Sequence, residues 1–164
     1  MRRLLLAAVL LGVVAEAGCM PASYRRARRL EGRYEVGAPG KDWEKLKPGG
    51  ADHAWRQRGT GAVLYTDSNC GPRFQDVPVD VLATEMETPL GEKEVLVERP
   101  VPLAGREGAE RVLLGRLDGV PMQLRVLVLN RDECTYDFVL ISPPDAWEGA
   151  SAALDEVLAG FRPR

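Results

Sequence analysis

Three cysteines and one histidine are the residues of this 164-residue chain whose types most readily support chemistry. Cys70 and Cys134 have 63 residues between them, unlike the CxxC spacing of many redox pairs. His53 is the single histidine, so any site that needs two histidines is excluded. It could serve as a lone general base, but we expect an exposed or hydrogen-bonded histidine at the start of a short strand.

Other catalytic and cofactor patterns are missing from the sequence. There is no GxSxG nucleophile elbow, no phosphate-binding glycine loop and no cluster of metal ligands, so we predict neither an enzyme nor a cofactor. Three serines are expected to have structural roles in turns or caps: Ser68, Ser142 and Ser151. Four glutamates are typical of a solvated face: Glu85, Glu87, Glu92 and Glu94. No one carboxylate pair is selected for glycoside hydrolysis, so a small hydrolase stays as an alternative.

The first eighteen residues have the features of a secretory signal peptide. Arg2 and Arg3 give a positive start, and an uncharged apolar run follows from Leu4 to Ala15. This run is too short to cross a bilayer as a helix, which takes about 20 residues. A buried N-terminal helix is the alternative, but the run has no polar face. We therefore predict that residues 1–18 direct export.

Two processing signals overlap at the end of this leader. Ala15-Glu16-Ala17 fits an ordinary signal peptidase. Ala17-Gly18-Cys19 resembles the end of a bacterial lipobox, with Glu16 where an aliphatic residue is usual. Because exported proteins seldom leave an odd thiol free, lipid on Cys19 would leave the other two cysteines as an even pair. We therefore predict an acylated Cys19 as a membrane anchor, with cleavage after Ala17 as the alternative.

Export also bears on the two remaining cysteines, because it places them in an oxidising compartment. There a disulfide between Cys70 and Cys134 would tie the turn before the first helix to a hairpin tip. A loop of this length predicts a stabilisation of about 4 kcal/mol. Free thiols and a redox pair are the alternatives, although no partner base for a redox role is visible in the sequence.

A basic segment separates the leader from the rest of the chain. Residues 19–30 contain no acid and four arginines, interpreted as a tether at the membrane surface: Arg25, Arg26, Arg28 and Arg29. From Glu31 onward the chain has 23 acidic and 16 basic residues, a net charge of −7. Each arginine near an anionic bilayer could gain about 1 kcal/mol. A solvated linker and a segment packed against the acidic domain are the alternatives.

The sequence of residues 31–164 predicts one domain that begins with short strands. We expect strands at Glu31–Val36, Ala54–Arg58 and Ala62–Thr66, whereas Val36–Gly50 is rich in glycine and proline and typical of a loop. A helix is predicted next, because Val79, Leu82 and Met86 are apolar and have helical spacing. Asp76 is its expected N-cap. The next strand contains Pro100 and Pro102, which suit an edge position.

The second half of the domain predicts a hairpin and a closing helix. Asp118-Gly119 is the strongest hairpin signal, because a type I′ turn needs positive φ at both positions. The strand after it alternates, with one face formed by Met122, Leu124, Val126 and Val128, and the other by Gln123, Arg125, Leu127 and Leu129. Ser142 to Asp145 fits a capping box before a helix that should lie across the sheet, with Asp155 facing away.

This order of elements resembles the PsbP-like α/β/α sandwich, and particularly bacterial envelope lipoproteins of that class with two domain cysteines. The matching motifs are Gly105-Arg106, Asp118-Gly119-Val120-Pro121, Tyr136-Asp137-Phe138 and Ala159-Gly160-Phe161-Arg162. The resemblance covers roughly residues 31–163. It implies an α+β fold, in which an antiparallel sheet of about six or seven strands packs with two helices. It also implies a non-catalytic role in binding or assembly.

Together these features predict an outer-membrane lipoprotein of a Gram-negative envelope, on the periplasmic face. Met20 in place of Asp after the lipidated cysteine favours the outer membrane. The expected partners are membrane lipid, through acylated Cys19, and an unidentified envelope protein of motility, adhesion or transport machinery. The near-neutral net charge of −2 argues against nucleic acid as a partner. A soluble periplasmic ligand-binding protein and a small hydrolase are the alternative functions.

Overall fold

The computed structural model describes residues 34–47, 50–71 and 77–164. Its strands are β1 (Tyr34–Glu35), β2 (Trp43–Lys45), β3 (His53–Gln57), β4 (Val63–Cys70), β5 (Gly91–Leu103), β6 (Arg106–Leu117), β7 (Val120–Arg131), β8 (Cys134–Ser142) and β9 (Arg162–Pro163). Its helices are α1 (Val79–Glu85) and α2 (Trp147–Ala159), with a 3₁₀ turn at Pro144–Ala146. Seven strands form one antiparallel sheet in the order β2-β3-β4-β8-β7-β6-β5, and β1 pairs with β9. This is the α+β architecture that the sequence predicts.

Alternating side chains give the large sheet two apolar faces. On β7, Leu127 and Leu129 pack on one face, and Leu124, Val126 and Val128 pack on the other. All five are almost inaccessible to solvent, and the predicted alternation is confirmed. Because this strand is covered on both sides, its middle is a continuous apolar run.

Each face of the sheet carries one helix. One face, which we call the α2 face, is covered by α2. This helix buries Ala150, Ala153, Leu154 and Val157 there, so the prediction that the last helix lies across the sheet is confirmed. The opposite face, which we call the α1 face, is covered by the shorter helix α1, which buries Ala83 beside β6 and β7. Within the described residues, no helix has both the length and the apolar character that crossing a bilayer requires.

The β6–β7 hairpin has the turn that its sequence predicts. Asp118 and Gly119 have φ values of 50° and 82°. Positive φ at both central positions is the type I′ pattern, whose twist matches that of the flanking strands. Leu117 consequently lies directly opposite Val120, which sets the register of the two long strands.

Three strands differ from the sequence-based expectation. β2 lies inside the stretch predicted as a loop, because Trp43 buries its ring in the core of the α2 face. β4 continues to Cys70 instead of ending at Thr66, because it pairs with β8 over its whole length. The two-residue strand β9 was not predicted, since its partner Tyr34–Glu35 lies more than 120 residues earlier.

Both predicted helix caps are wrong. The N-cap of α1 is Pro78 and not Asp76, which lies outside the described residues. The α2 helix follows a 3₁₀ turn, and no side chain among the described residues caps either of them. Ser142 instead donates its hydroxyl to the carbonyl oxygen of Pro143 at 2.9 Å. The prolines after Ser142 therefore open the helix through the 3₁₀ turn and not through a capping box.

The β1–β9 pair holds the start of the described chain against the end of α2. A Cβ atom on Gly37 would lie 2.1 Å from the carbonyl oxygen of Glu156. A Cβ atom on Gly160 would lie 2.2 Å from the backbone nitrogen of Gly37. Both positions therefore require glycine, because the two backbones touch.

Candidate binding groove

The predicted disulfide is present and joins facing residues of neighbouring strands. Cys70 ends β4 and Cys134 begins β8, with 4.0 Å between their Cα atoms and a bond between their sulfur atoms. Cys70 is almost fully buried. The predicted lipidation and tether residues lie outside the described part of the chain: Cys19, Arg25, Arg26, Arg28 and Arg29.

His53 packs as an aromatic ring on the α2 face. Its ring stacks on Trp55 with 5.8 Å between centroids and meets Tyr34 edge-on at 5.4 Å. Burial, followed by the positive charge of Lys45, lowers the pKa of His53 and favours the neutral form. Its Nε2 atom is buried without a hydrogen-bond partner in the described structure, so the expectation of an exposed or hydrogen-bonded histidine is wrong at this nitrogen.

All three serines lie in regular elements and not in a turn or a helix cap, and Ser142 is the last residue of β8. Ser68 lies within β4 and donates a hydrogen bond to Oδ2 of Asp52 at 2.6 Å. Ser151 lies within α2, and its hydroxyl accepts a hydrogen bond from Arg125 at 3.0 Å. The predicted turn or cap context is therefore wrong for all three, although each makes a structural hydrogen bond.

One of the four glutamates predicted for a solvated face is buried instead. Glu87 is 2% exposed and forms an ion pair with Arg111 on the α1 face. Lys93 Nζ lies 3.5 Å from the same carboxylate, and Arg111 also pairs with Glu98 of β5. These cations offset the cost of burying the charge. The remaining three glutamates are exposed as predicted: Glu85, Glu92 and Glu94.

A carboxyl pair lies on the α1 face, although no such pair can be chosen from the sequence. Asp67 of β4 faces Asp137 of β8, and Asn69 Nδ2 donates to Oδ2 of Asp137 at 3.5 Å. Burial and then the charge of Asp67 raise the pKa of Asp137 to about 7, against the opposing hydrogen bond from Asn69. In the parts of the chain that the structure describes, no group of three or more potential ligand side chains could hold a metal ion.

Four side chains of alternating charge cross the α2 face, and we call them the charge ladder: Arg99 of β5, Glu110 of β6, Arg125 of β7 and Asp155 of α2. Arg99 Nε donates to Oε2 of Glu110 at 2.7 Å. Arg125 Nη2 lies 2.7 Å from Oε1 of Glu110, and its Nη1 lies 2.8 Å from Oδ1 of Asp155. The ladder therefore connects three neighbouring strands to the helix that covers them.

The charge ladder is buried in the middle and exposed at both ends. The side chains of Glu110 and Arg125 are 2% and 11% exposed, whereas those of Arg99 and Asp155 are both 61% exposed. Burial alone would raise the pKa of Glu110, but hydrogen bonds and positive charge from the two arginines outweigh it. The pKa of Glu110 is lowered as a result, so the carboxylate is ionised at neutral pH.

A groove of about 340 Å³ lies above the charge ladder, between α2 and β5. Trp147 and Ser151 line its helix side, and Leu96 and Val97 line its strand side. Leu96 is 46% exposed, which is high for a large apolar side chain. A charged floor beside apolar walls can bind a ligand that has both a polar group and an apolar one.

The sequence contains a signal for the charge ladder that periodicity alone could not interpret. The alternation places Arg125 on the same face as Leu127 and Leu129, where a charge needs a buried partner. That partner, Glu110, is on the preceding strand, and the two meet only once the strand register is known. Asp155 is exposed, as its predicted position implies, yet it still binds Arg125.

Comparison with known proteins identifies the fold. No protein-family model and no curated protein matches the chain. The solution structure of cyanobacterial PsbP (CyanoP) from Synechocystis aligns with a TM-score of 0.60 and 13% identity, over 81% of this chain and 88% of that chain. The fold is PsbP-like. LpqN of Mycobacterium tuberculosis, described as involved in cell envelope biogenesis, aligns with a TM-score of 0.58 and 9% identity, over 78% of this chain and 81% of that chain. The PsbP-like fold predicted from the order of elements is therefore confirmed.

Proposed function

We propose that this chain is an exported lipoprotein that acts as a non-catalytic binding subunit of a complex in the bacterial cell envelope. Acylated Cys19 anchors it in the outer membrane, on the periplasmic side. The observation that carries this proposal is the bond between Cys70 and Cys134. Because those two thiols are bonded to each other, Cys19 is the one of three cysteines left over, and acylation accounts for it.

Two other observations support the proposal. The structural neighbour LpqN is described as involved in cell envelope biogenesis. In the groove, Glu110 and Asp155 are paired with Arg99 and Arg125, so their charges are engaged in ion pairs. Such an arrangement suits binding better than proton transfer or nucleophilic attack, which need a group poised to react.

Metabolic labelling with a palmitate analogue tests the anchor. We expect label on the wild-type chain in a Gram-negative host and none on Cys19→Ala, because acylation requires that thiol. The matched control is the double variant Cys70→Ala/Cys134→Ala, which should keep the label. A wild-type chain without label would contradict the anchor and favour a soluble periplasmic ligand-binding protein cut after Ala17.

Crosslinking in intact envelopes, followed by pull-down of the tagged chain, tests the binding role. We expect reproducible recovery of one envelope complex. Recovery of only bulk lipid and abundant porins would contradict a subunit of a protein complex, and it would favour a small-molecule ligand in the groove.

A further inference from the structure

We propose that the groove between α2 and β5 binds an acidic segment of a partner protein, and that Arg99 is the anchor for its carboxylate. This inference deepens the proposed function, because it names the surface and the chemistry of the partner. It rests on the binding role of the domain and is independent of lipid attachment at Cys19.

Arg99 is held in position before any partner binds. Its Nε donates to Glu110, which is buried and held from the other side by Arg125. The two terminal nitrogens of Arg99 have no hydrogen-bond partner within the described residues, and the side chain is 61% exposed. A guanidinium group fixed in this way can donate to both oxygens of a carboxylate.

The order of charges in the ladder determines which ligand charge fits. Charges alternate from Arg99 at the outer end to Asp155 at the helix, and each neighbouring pair is already in contact. Asp155 is engaged by Arg125, so the outer side of Arg99 is where a further charge can be added. An anion there continues the alternation, whereas a cation would be repelled.

The apolar walls determine what should flank the acid. Leu96 is 46% exposed, and Val97 and Trp147 are partly exposed beside it. An aliphatic or aromatic side chain next to the acidic residue would remove this apolar surface from water. The ligand is therefore a segment that combines Asp or Glu with a large apolar neighbour.

The edge of β5 favours side-chain docking over addition of another strand. Pro100 and Pro102 have no N–H group to offer a neighbouring strand. Irregular register between Gly91 and Glu94, and between Val95 and Val97, interrupts the other half of the strand. Edges of this kind are protected against pairing with another chain. The partner segment is therefore held through its side chains in the groove.

Selection from a displayed library of random peptides tests this chemistry on the full-length chain purified from the envelope in detergent. We expect the enriched peptides to carry Asp or Glu beside Leu, Phe or Trp. The best peptide is then made as a C-terminal amide, so that its carboxylates are all in side chains, and its affinity is measured by fluorescence polarisation. Arg99→Gln should weaken binding by at least about tenfold, and Arg99→Lys should weaken it less.

Arg106→Gln is the matched control. Like Arg99, Arg106 is an exposed arginine, but it lies on β6 and outside the groove. We expect it to leave the affinity unchanged. Replacing the acid of the peptide by Gln should weaken binding to the wild type about as much as Arg99→Gln does, and it should add little to that variant. Such non-additivity indicates that Arg99 and the acidic residue of the peptide interact directly. Near-UV circular dichroism verifies that each variant is folded.

Enrichment of basic or uncharged peptides would overturn the proposal. So would a selection that yields no peptide, or peptides whose affinity does not change with Arg99→Gln in a folded variant. These outcomes are separate from a failure of lipidation, because a chain without lipid is purified from the soluble fraction and used in the same selection.

Discussion

Asp137 titrates near neutral pH because of its position in the middle of a sheet. Its pKa is about 7, chiefly because of burial and then because Asp67 faces it across the β4–β8 pair. An aspartate in an unfolded chain has a pKa of about 3.9. The folded protein therefore holds a proton that the unfolded chain releases, so this group stabilises the fold most at acidic pH and loses that contribution as the pH rises through about 7.

We predict that Asp137→Asn raises the free energy of unfolding at pH 8, because the amide resembles the protonated carboxyl and carries no charge. The gain is on the order of 4 kcal/mol, since each pKa unit corresponds to about 1.4 kcal/mol. The variant should also lose most of the decline in stability that the wild type shows between pH 5 and pH 8. Urea unfolding at several pH values measures both effects.

The matched control is Asp118→Asn, at an exposed hairpin position where asparagine is equally favoured. Its stability profile should follow that of the wild type. Equal pH slopes for Asp137→Asn and the wild type would contradict the prediction. Two other groups act in the opposite direction, because Glu110 has a lowered pKa and His53 is favoured as the neutral ring. Their contributions are lost as the pH falls, so they do not imitate the expected effect at pH 8.

At the scale of the elements, local patterns predict what depends on neighbours in sequence. The hairpin at Asp118-Gly119 and the alternation on β7 follow from turn chemistry and period-two spacing, and both are confirmed. The strand at Trp43–Lys45 depends on the burial of one tryptophan and has no periodicity to reveal it. The β1–β9 pair depends on contact between segments far apart in the chain, which no local propensity encodes.

We predict that Cys70→Ala/Cys134→Ala lowers the free energy of unfolding by about 4 kcal/mol, because the bond closes a loop with a sequence separation of 64. The bond lies between the last residue of β4 and the first of β8, so its loss also frees the end of that strand pair. Guanidinium unfolding of the purified proteins measures the change.

Reduction of the wild-type protein provides the control for this variant. A reducing agent should lower the stability of the wild type to that of Cys70→Ala/Cys134→Ala and leave the variant unaffected. A variant as stable as the oxidised wild type would contradict the prediction.

At the scale of the whole molecule, the sequence predicts the fold but not the groove. The order of strands and helices, together with short turn motifs, resembles the PsbP-like sandwich, and the alignment with CyanoP confirms that fold. The charge ladder could not be predicted, because its members lie on three strands and a helix that meet only in the folded chain. The pair of Arg99 and Glu110 can be counted back from the turn between Leu103 and Arg106, because the register is regular over that stretch, but Arg125 and Asp155 join it only in the folded chain.

The charge of the molecule is unevenly distributed along the chain, and this predicts how it interacts with a membrane surface. We expect the Cys19→Ala protein to bind vesicles that contain anionic lipid. Binding should weaken when four arginines are replaced by glutamine: Arg25, Arg26, Arg28 and Arg29. Each arginine contributes roughly 1 kcal/mol near such a surface, and salt screens the attraction. Cosedimentation with vesicles at low and high salt measures the effect.

Vesicles of neutral lipid and the variant Arg56→Gln, which changes an exposed arginine of β3, serve as controls. Neutral vesicles should bind neither the Cys19→Ala protein nor its four-arginine variant. Arg56→Gln, made in the Cys19→Ala protein, should bind anionic vesicles as well as that parent does. Equal binding by the four-arginine variant and its parent would show that residues 19–30 make no electrostatic contact with the bilayer.

Tyr34 lies opposite Pro163, so the described chain starts and finishes at one corner of the domain. A fusion partner attached after Arg164 would therefore begin at the same corner as Tyr34. Tyr34 also contacts the ring of Tyr136 on β8, and β5 is three strands further across the sheet, roughly 15 Å away. A small dye near Leu96 would therefore report on a docked ligand with less interference from a fused partner than a dye near Arg164.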